Sequence, residues 1–140
     1  MKLLVILKMK KINYNKIQEL INKIKNLIEL KQNWDSYGAD LISEKVINKT
    51  IDIVYKLWEK YYVYFDYVFS GRNNNIQFDL DGKYNSVELE IDENKNIFVI
   101  YDDKDNVIEE KEIKEEKKDF LFIANVINMI KNDIIYENRL

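Results

Sequence analysis

The composition of this 140-residue chain excludes several classes of chemistry before any motif is considered. It contains no Cys and no His, so disulfides, thiolate nucleophiles, Cys-based zinc or iron–sulfur sites and the commonest general base are all ruled out. Its 22 basic and 25 acidic side chains give a formal net charge of −3, which argues against sequence-independent binding of duplex nucleic acid. The length predicts one domain, residues 1–140.

The first twelve residues have two interpretations. The apolar run from Leu3 to Leu7 is too short to span a bilayer, and no small-residue cleavage site follows it. Residues 1–12 are therefore either a short strand or an N-terminal extension ahead of a start at Met9. We expect no membrane contact and a cytoplasmic location, which would be the host cytoplasm if a phage carries the gene.

Two helices are predicted before residue 62. Apolar residues recur at spacings of three and four from Tyr14 to Leu30, and again from Ser43 to about residue 61. Ser43 is the predicted N-cap of the second helix, with Glu44 in its first turn. The loop of about ten residues between them predicts an antiparallel helical hairpin.

Strands follow, and then a last helix. The aromatic and β-branched run from Tyr62 to Phe69 predicts the first strand. Apolar and acidic residues alternate over residues 76–81 and 87–92, so the carboxylates should lie on an open sheet face. Further strands are predicted at residues 97–101 and 107–113, and a helix at residues 118–136. The predicted fold is α+β: an N-terminal helical hairpin, a four- to five-stranded antiparallel meander and a C-terminal helix, with the helices on one face.

No motif in the chain predicts catalytic residues, a metal site or a cofactor. The Ser43-Glu44-Lys45 run has the wrong spacing for a Ser-x-x-Lys nucleophile. The acidic turn at residues 102–106 lacks the central Gly and the closing Glu of a calcium loop, and three glycines do not make a phosphate loop. Carboxylate pairs on the strands (Asp79/Asp81 and Glu88/Glu90) leave a carboxylate-dependent enzyme as an alternative.

Residues 33–40 stand out because they follow neither a helical nor a strand period. A structural interpretation has a mostly buried Trp34 closing the end of the helix pair, Asp35 capping backbone N–H groups and Gly38 at positive φ. A functional interpretation has Trp34 and Tyr37 forming an aromatic wall, with Asp35 or Asp40 binding a ligand. The run reads Asn33-Trp34-Asp35-Ser36-Tyr37-Gly38-Ala39-Asp40.

A second candidate patch contains Tyr62, Tyr64 and Arg72. Strand alternation would place the two tyrosines on one face, and rows of exposed tyrosines are common at interfaces. Arg72 is one of two arginines and lies in the turn that follows. Arginine is the natural partner of phosphate and carboxylate groups.

The Trp34 segment, followed by Ile42-Ser43 and a helix, resembles a motif of small, poorly characterised bacterial and phage proteins. Those proteins carry Asn/Gly-Trp-Asp-x-Tyr-Gly-Ala between two helices, and the resemblance covers roughly residues 25 to 100. This chain lacks the prolines expected near residues 41 and 62. The resemblance implies an architecture and carries no activity.

These observations favour a non-catalytic, stoichiometric binding protein of phage or mobile-element type. It would inhibit a host defence system by sequestering a nucleotide signal or by masking a host protein. The bias toward Lys, Ile, Asn and Tyr is typical of AT-rich coding sequences and supports such an origin. An antitoxin-like or regulatory interaction module is the alternative, and formation of a homo-oligomer is left open.

Overall fold

Three helices cover one face of a five-stranded sheet. The computed structural model describes the backbone of residues 2–137 and the side chains of residues 4 and 13–137. The sheet order is β1-β2-β3-β4-β5 with antiparallel neighbours, so the predicted α+β meander is confirmed. The elements are α1 (Lys2–Asn26, then a 3-10 turn at Leu27–Glu29), α2 (Glu44–Tyr61), β1 (Tyr67–Ser70), β2 (Ile76–Asp81), β3 (Ser86–Ile91), β4 (Asn96–Tyr101), β5 (Val107–Glu112) and α3 (Lys117–Lys131).

Alternation along the strands buries one face of the sheet and leaves the other open. Phe78 lies opposite Leu89, which in turn lies opposite Phe98, and all three are fully buried. The neighbouring row on the other face contains Asp79 and Glu88. The predicted open face is therefore confirmed, and it carries Gln77, Asp79, Glu88 and Glu90.

The helices supply the other half of the core. The buried stripes of α1, α2 and α3 belong to the same hydrophobic cluster as the buried sheet face. The helices α1 and α2 contact each other, with Gln18 Nε2 donating to the Tyr55 hydroxyl at 3.5 Å. Ser43 caps α2 as predicted, because its Oγ accepts the Val46 N–H at 3.3 Å.

The N-terminal residues do not form the short strand that their apolar run allowed. Residues 2–12 belong to α1, which runs without interruption to Asn26. No Gly, Pro or turn sequence interrupts this stretch, and each residue added to an existing helix gains a hydrogen bond. The strand interpretation is therefore wrong, and residue 1 lies outside the described residues.

The strand predicted from Tyr62 also begins later, at Tyr67. Tyr62 ends α2 in the left-handed conformation, with φ 55° and its N–H donating to the Trp58 carbonyl at 2.9 Å. Val63 and Phe65 are buried in the connection that follows, so this aromatic segment joins two elements instead of forming a strand. At the other end of the chain, α3 stops at Lys131 and not at residue 136.

We predict that Asp119 stabilises the junction between β5 and α3 through a backbone contact. It is 2% exposed, and its Oδ2 accepts the Lys114 N–H at 2.8 Å. Asp119→Ala should lower the free energy of unfolding by about 1–3 kcal/mol, because this N–H loses its acceptor. Urea unfolding measures the change.

The matched control is Lys111→Met, which keeps the apolar stem and removes the ammonium group 3.6 Å from Asp119 Oδ1. Lys111 is partly exposed, so its loss should cost less free energy than the loss of the backbone contact, although its ammonium group also lies 4.5 Å from the Phe122 ring centroid. Equal losses for the two variants would mean that the ion pair, and not the backbone contact, is the important interaction.

Candidate functional site

Residues 30–43 connect α1 to α2, and we call this connection the Trp34 loop. It lies against the turn between β1 and β2, residues 71–75. The Asp40 N–H donates to the Arg72 carbonyl at 2.7 Å. The Ser43 N–H donates to Asn74 Oδ1 at 2.7 Å, and Asn74 Nδ2 donates to Ser43 Oγ at 3.3 Å. The start of α2 is thereby tied to the edge of the sheet.

The Asp35 carboxylate accepts three of the hydrogen bonds that hold this loop. Its Oδ1 accepts the N–H groups of Tyr37 at 2.9 Å and Ala39 at 3.1 Å, which confirms the predicted capping role. Its Oδ2 accepts from Arg72 Nε at 2.5 Å. A terminal nitrogen of Arg72 also donates to the Tyr37 carbonyl. The pair therefore fixes the backbone on both sides of Tyr37.

Three residues of the loop adopt positive φ. Gly38 has φ 85°, as predicted, and Asn33 and Ser36 have φ 61° and 64°. Asn33 closes the loop from the other side, since its N–H donates to the Ala39 carbonyl at 2.7 Å and its Oδ1 accepts the Gly38 N–H at 2.6 Å. The segment is thus a closely hydrogen-bonded loop with a defined backbone path.

Trp34 does not fill the core. It is partly buried, lies outside the hydrophobic cluster and donates from Nε1 to the Asp40 carbonyl at 3.1 Å. Most of its surface is covered, as predicted, but the expectation that Trp34 closes the core is wrong. The reason is that the core beneath the loop is already closed by Ala39 and Ile42, which leaves the indole to brace the loop from the surface.

Tyr37 is the most exposed large apolar residue of the described chain, with 82% of its surface open to solvent. Its backbone is nevertheless held by Asp35 and Arg72. Ile28 and Leu41 are also about half exposed and line a groove of about 460 Å³ with Asp40. The loop therefore offers an exposed aromatic ring and a shallow apolar groove rather than an enclosed pocket.

The electrostatics of Asp35 favour its charged form. Partial desolvation acts to raise the pKa of Asp35, but hydrogen bonds from Tyr37 N–H, Arg72 and Ala39 N–H together outweigh it. The pKa of Asp35 accordingly lies below its ordinary value of 3.8. Its contacts hold the loop at any pH above that ordinary value, and are lost as the pH falls through the lowered pKa.

Tyr62 and Tyr64 lie at the other end of α2, which spans 18 residues and therefore about 27 Å. The Tyr64 ring packs against Trp58, with ring centroids 6.2 Å apart, and Lys131 Nζ lies 4.1 Å from its centroid. Tyr62 is exposed, and its ring meets Trp58 edge-on. The structure thus brings five of the seven candidate residues together (Trp34, Asp35, Tyr37, Asp40 and Arg72) and separates Tyr62 and Tyr64 from them.

The sequence predicted no role for Asn33 or Asn74, although Asn33 belongs to the Trp34 motif. Both adopt positive φ and both close the loop through side-chain oxygens. Asparagine in a turn is a signal for this conformation, since its short amide tolerates positive φ and bonds nearby backbone groups. The sequence could not reveal that the Trp34 loop and the turn between β1 and β2 contact each other.

The described residues offer neither a metal site nor a membrane-spanning helix. Within the described residues, no three acidic side chains converge on a point where a metal ion could bind. None of the helices in that part of the chain combines the length and the apolar character needed to cross a bilayer.

We predict that removing the Arg72 guanidinium loosens the loop without unfolding the domain. In Arg72→Met, the amides of Tyr37 and Ala39 should exchange with solvent several-fold faster, because Asp35 loses its charged partner. Acidifying the native protein below the lowered pKa of Asp35 should have the same effect on these amide signals. Residue-resolved NMR measures both effects.

Lys31→Met is the matched control, because it removes a positive charge from the same loop at an exposed position. It should leave both amides unchanged. Unchanged exchange in Arg72→Met would show that the loop is held without the ion pair.

Comparison with known proteins adds no relative to this description. No protein-family model, no curated protein and no solved structure matches the chain. The likeness of the Trp34 segment to the Trp-Asp-x-Tyr-Gly-Ala proteins therefore stays a likeness of motif. Function has to be argued from the geometry of the chain itself.

Proposed function

We propose that this protein acts by non-catalytic, stoichiometric binding, and that the Trp34 loop contacts the partner. The observation that carries the proposal is the Tyr37 ring, 82% exposed on a backbone fixed by Asp35 and Arg72. An aromatic residue whose backbone is held in place before binding loses less conformational freedom when it binds than one on a mobile loop. Exposed tyrosines of this kind are enriched among residues that dominate interface energies.

The partner we favour is a protein surface rather than a nucleotide. A nucleotide would need cations at the site for its phosphates; the loop also contains Lys31, but the cation that contacts the Tyr37 backbone is Arg72. Its Nε and one terminal nitrogen are already committed to Asp35 and the Tyr37 carbonyl. Asp40 adds a second negative charge to the same loop, and the groove beside it is open. These features support masking of a protein over sequestration of a nucleotide signal.

The biological role we propose is inhibition of a host defence protein by a phage or mobile-element protein in the host cytoplasm. The bias toward amino acids with AT-rich codons and the likeness of the Trp34 segment to phage and bacterial proteins support this origin. An antitoxin-like or regulatory module would use the same surface on a chromosomally encoded partner. The identity of the captured protein decides between the two.

The test places a photo-cross-linking amino acid at position 37 or at position 14 of the protein expressed in its host. Tyr14 is the control because it is a half-exposed tyrosine on α1, away from the loop. We expect one adduct of defined mass from position 37 and none from position 14. Tyr37→Ala should then weaken binding of that protein by at least about tenfold, as loss of an interface anchor does.

Stability provides the accompanying control. Tyr37→Ala and Tyr14→Ala should both stay within about 0.5 kcal/mol of the native unfolding free energy, because both rings are exposed. A nucleotide that co-purifies at one equivalent, seen by native mass spectrometry without any protein adduct, would contradict the proposal. Adducts of equal yield from both positions would contradict it as well.

A further inference from the structure

The open face of the sheet has an apolar strip between two columns of carboxylates. The strip runs along β4, and the cross-strand register places an acidic residue on each side of it. A depression of about 320 Å³ lies over this part of the face. Glu88 and Glu110 flank Val99, and Glu90 and Glu112 flank Ile97, with Tyr101 at the end of the strip.

Charge is strongly segregated on this face. Asp79 and Asp81 on β2 bring its carboxylates to six, whereas no basic side chain of the five strands, all of which are described, lies on it. Asp92 and Lys95, both in the turn between β3 and β4, also line the depression and bring one charge of each sign. Six of the chain's 25 carboxylates lie on the open face of the strands, so the remaining acidic residues are outnumbered by the 22 basic ones.

This segregation identifies the chemistry of the occupant. A second copy bound face to face would oppose six carboxylates to six, and nucleic acid or an anionic membrane would be repelled in the same way. A cationic protein surface is attracted. The apolar strip adds a requirement for apolar side chains between the cationic ones.

Three of the carboxylates accept side-chain hydrogen bonds, the first being Asp79, whose Oδ1 accepts from Gln77 Nε2 at 2.9 Å. The Tyr101 hydroxyl donates to Glu88 Oε2 at 2.9 Å, and Asn75 Nδ2 donates to Glu90 Oε1 at 3.1 Å. Burial, and then the Glu88 carboxylate, raise the pKa of Tyr101 to about 12, so this donor stays protonated at neutral pH. Fixed carboxylates favour a partner with a regular spacing of charges.

We propose that this face binds an amphipathic helix of a partner protein, one whose apolar stripe is flanked on both sides by Lys or Arg. Neighbouring strands lie about 4.8 Å apart, so β3 and β5 are separated by about 10 Å, the width of a helix. The strip from Ile97 to Tyr101 is about 13 Å long and matches about nine helical residues. This inference does not depend on the Trp34 loop.

The size of the face sets the expected strength. Five strands of up to six residues make a surface of about 20 by 20 Å, or about 400 Å². That is half of the roughly 800 Å² that each partner contributes to a standard interface. Binding should therefore be weak, with a micromolar dissociation constant and a marked dependence on salt.

The experiment uses the full chain and a twelve-residue helical peptide made of Leu, Lys and Ala. Its leucines form one stripe along the helix, and lysines flank that stripe on both sides. Titration of ¹⁵N-labelled protein should give saturable shifts on the open face of β3 to β5. Glu88→Gln with Glu110→Gln should raise the dissociation constant by at least about tenfold. Glu19→Gln with Glu59→Gln makes the same charge change at exposed sites on the helices and should leave the dissociation constant unchanged.

Glutamine keeps an oxygen that can accept from Tyr101, so the first double variant preserves that hydrogen bond. Should it fail to fold, Glu90→Gln with Glu112→Gln tests the same two columns. Absent or dispersed shifts, equal weakening by the helix variant, or equal binding of a peptide with Glu in place of Lys would each overturn the proposal. Tyr37→Ala should not change peptide binding, which keeps this result separate from the test of the loop.

Discussion

The burial of a single sheet face is the constraint on which the rest of this structure depends. The alternation in β2, β3 and β4 places Phe78, Leu89 and Phe98 in one fully buried row. Such a row has to be covered, and the helices are the elements that cover it. Phe65 stacks on Phe78, and Phe122 of α3 meets Phe98 edge-on, so the connection after α2 and the last helix are both anchored to this row. With the helices on one side, the other face of the sheet and the loops at the ends of the helices stay open to solvent.

The parts of the fold that sequence predicted are those with a local signal. Alternation is read within one strand, and the Ser43 cap is read within one turn, so both were placed correctly. The errors arose where local preference was overridden. The β-prone segment after Tyr62 became a buried connection, because Tyr62 took the left-handed position that usually belongs to glycine. The apolar N-terminal run, too short to be decisive by itself, was absorbed into α1.

The candidate site illustrates the same limit at longer range. Asp35 and Arg72 are separated by 37 residues, and neither residue alone predicts the other. The sequence did indicate that residues 33–40 were special, that Asp35 caps and that Gly38 has positive φ. It could not show that Arg72 closes the loop, because that contact exists only once α2 and the sheet edge have docked. The same docking leaves Trp34 at the surface instead of in the core.

The loop concentrates unusual backbone conformation in a short space. Asn33 and Ser36 are non-glycine residues at positive φ, each of which costs about 1–2 kcal/mol relative to the right-handed region. The hydrogen bonds of Asn33 and Asp35 offset this cost, and the result is a fixed path that projects Tyr37 into solvent. Strain of this kind is commonly found where a protein positions a functional group. A purely structural role for the segment would explain the capping by Asp35 and the positive φ of Gly38. It would not explain why the Tyr37 ring is exposed.

The loop and the open face would contribute to binding in different ways. Carboxylate columns act over a distance and raise the rate of encounter with a cationic partner, an effect that salt weakens. An aromatic ring on a fixed backbone acts only after contact and lengthens the life of the complex, because most affinity differences between related complexes lie in dissociation. A chain without Cys or His lacks the groups that most enzymes use for nucleophilic and acid–base steps. Under the proposed function, the segregated charge of the open face and the exposed Tyr37 ring would be the groups that contact a partner protein.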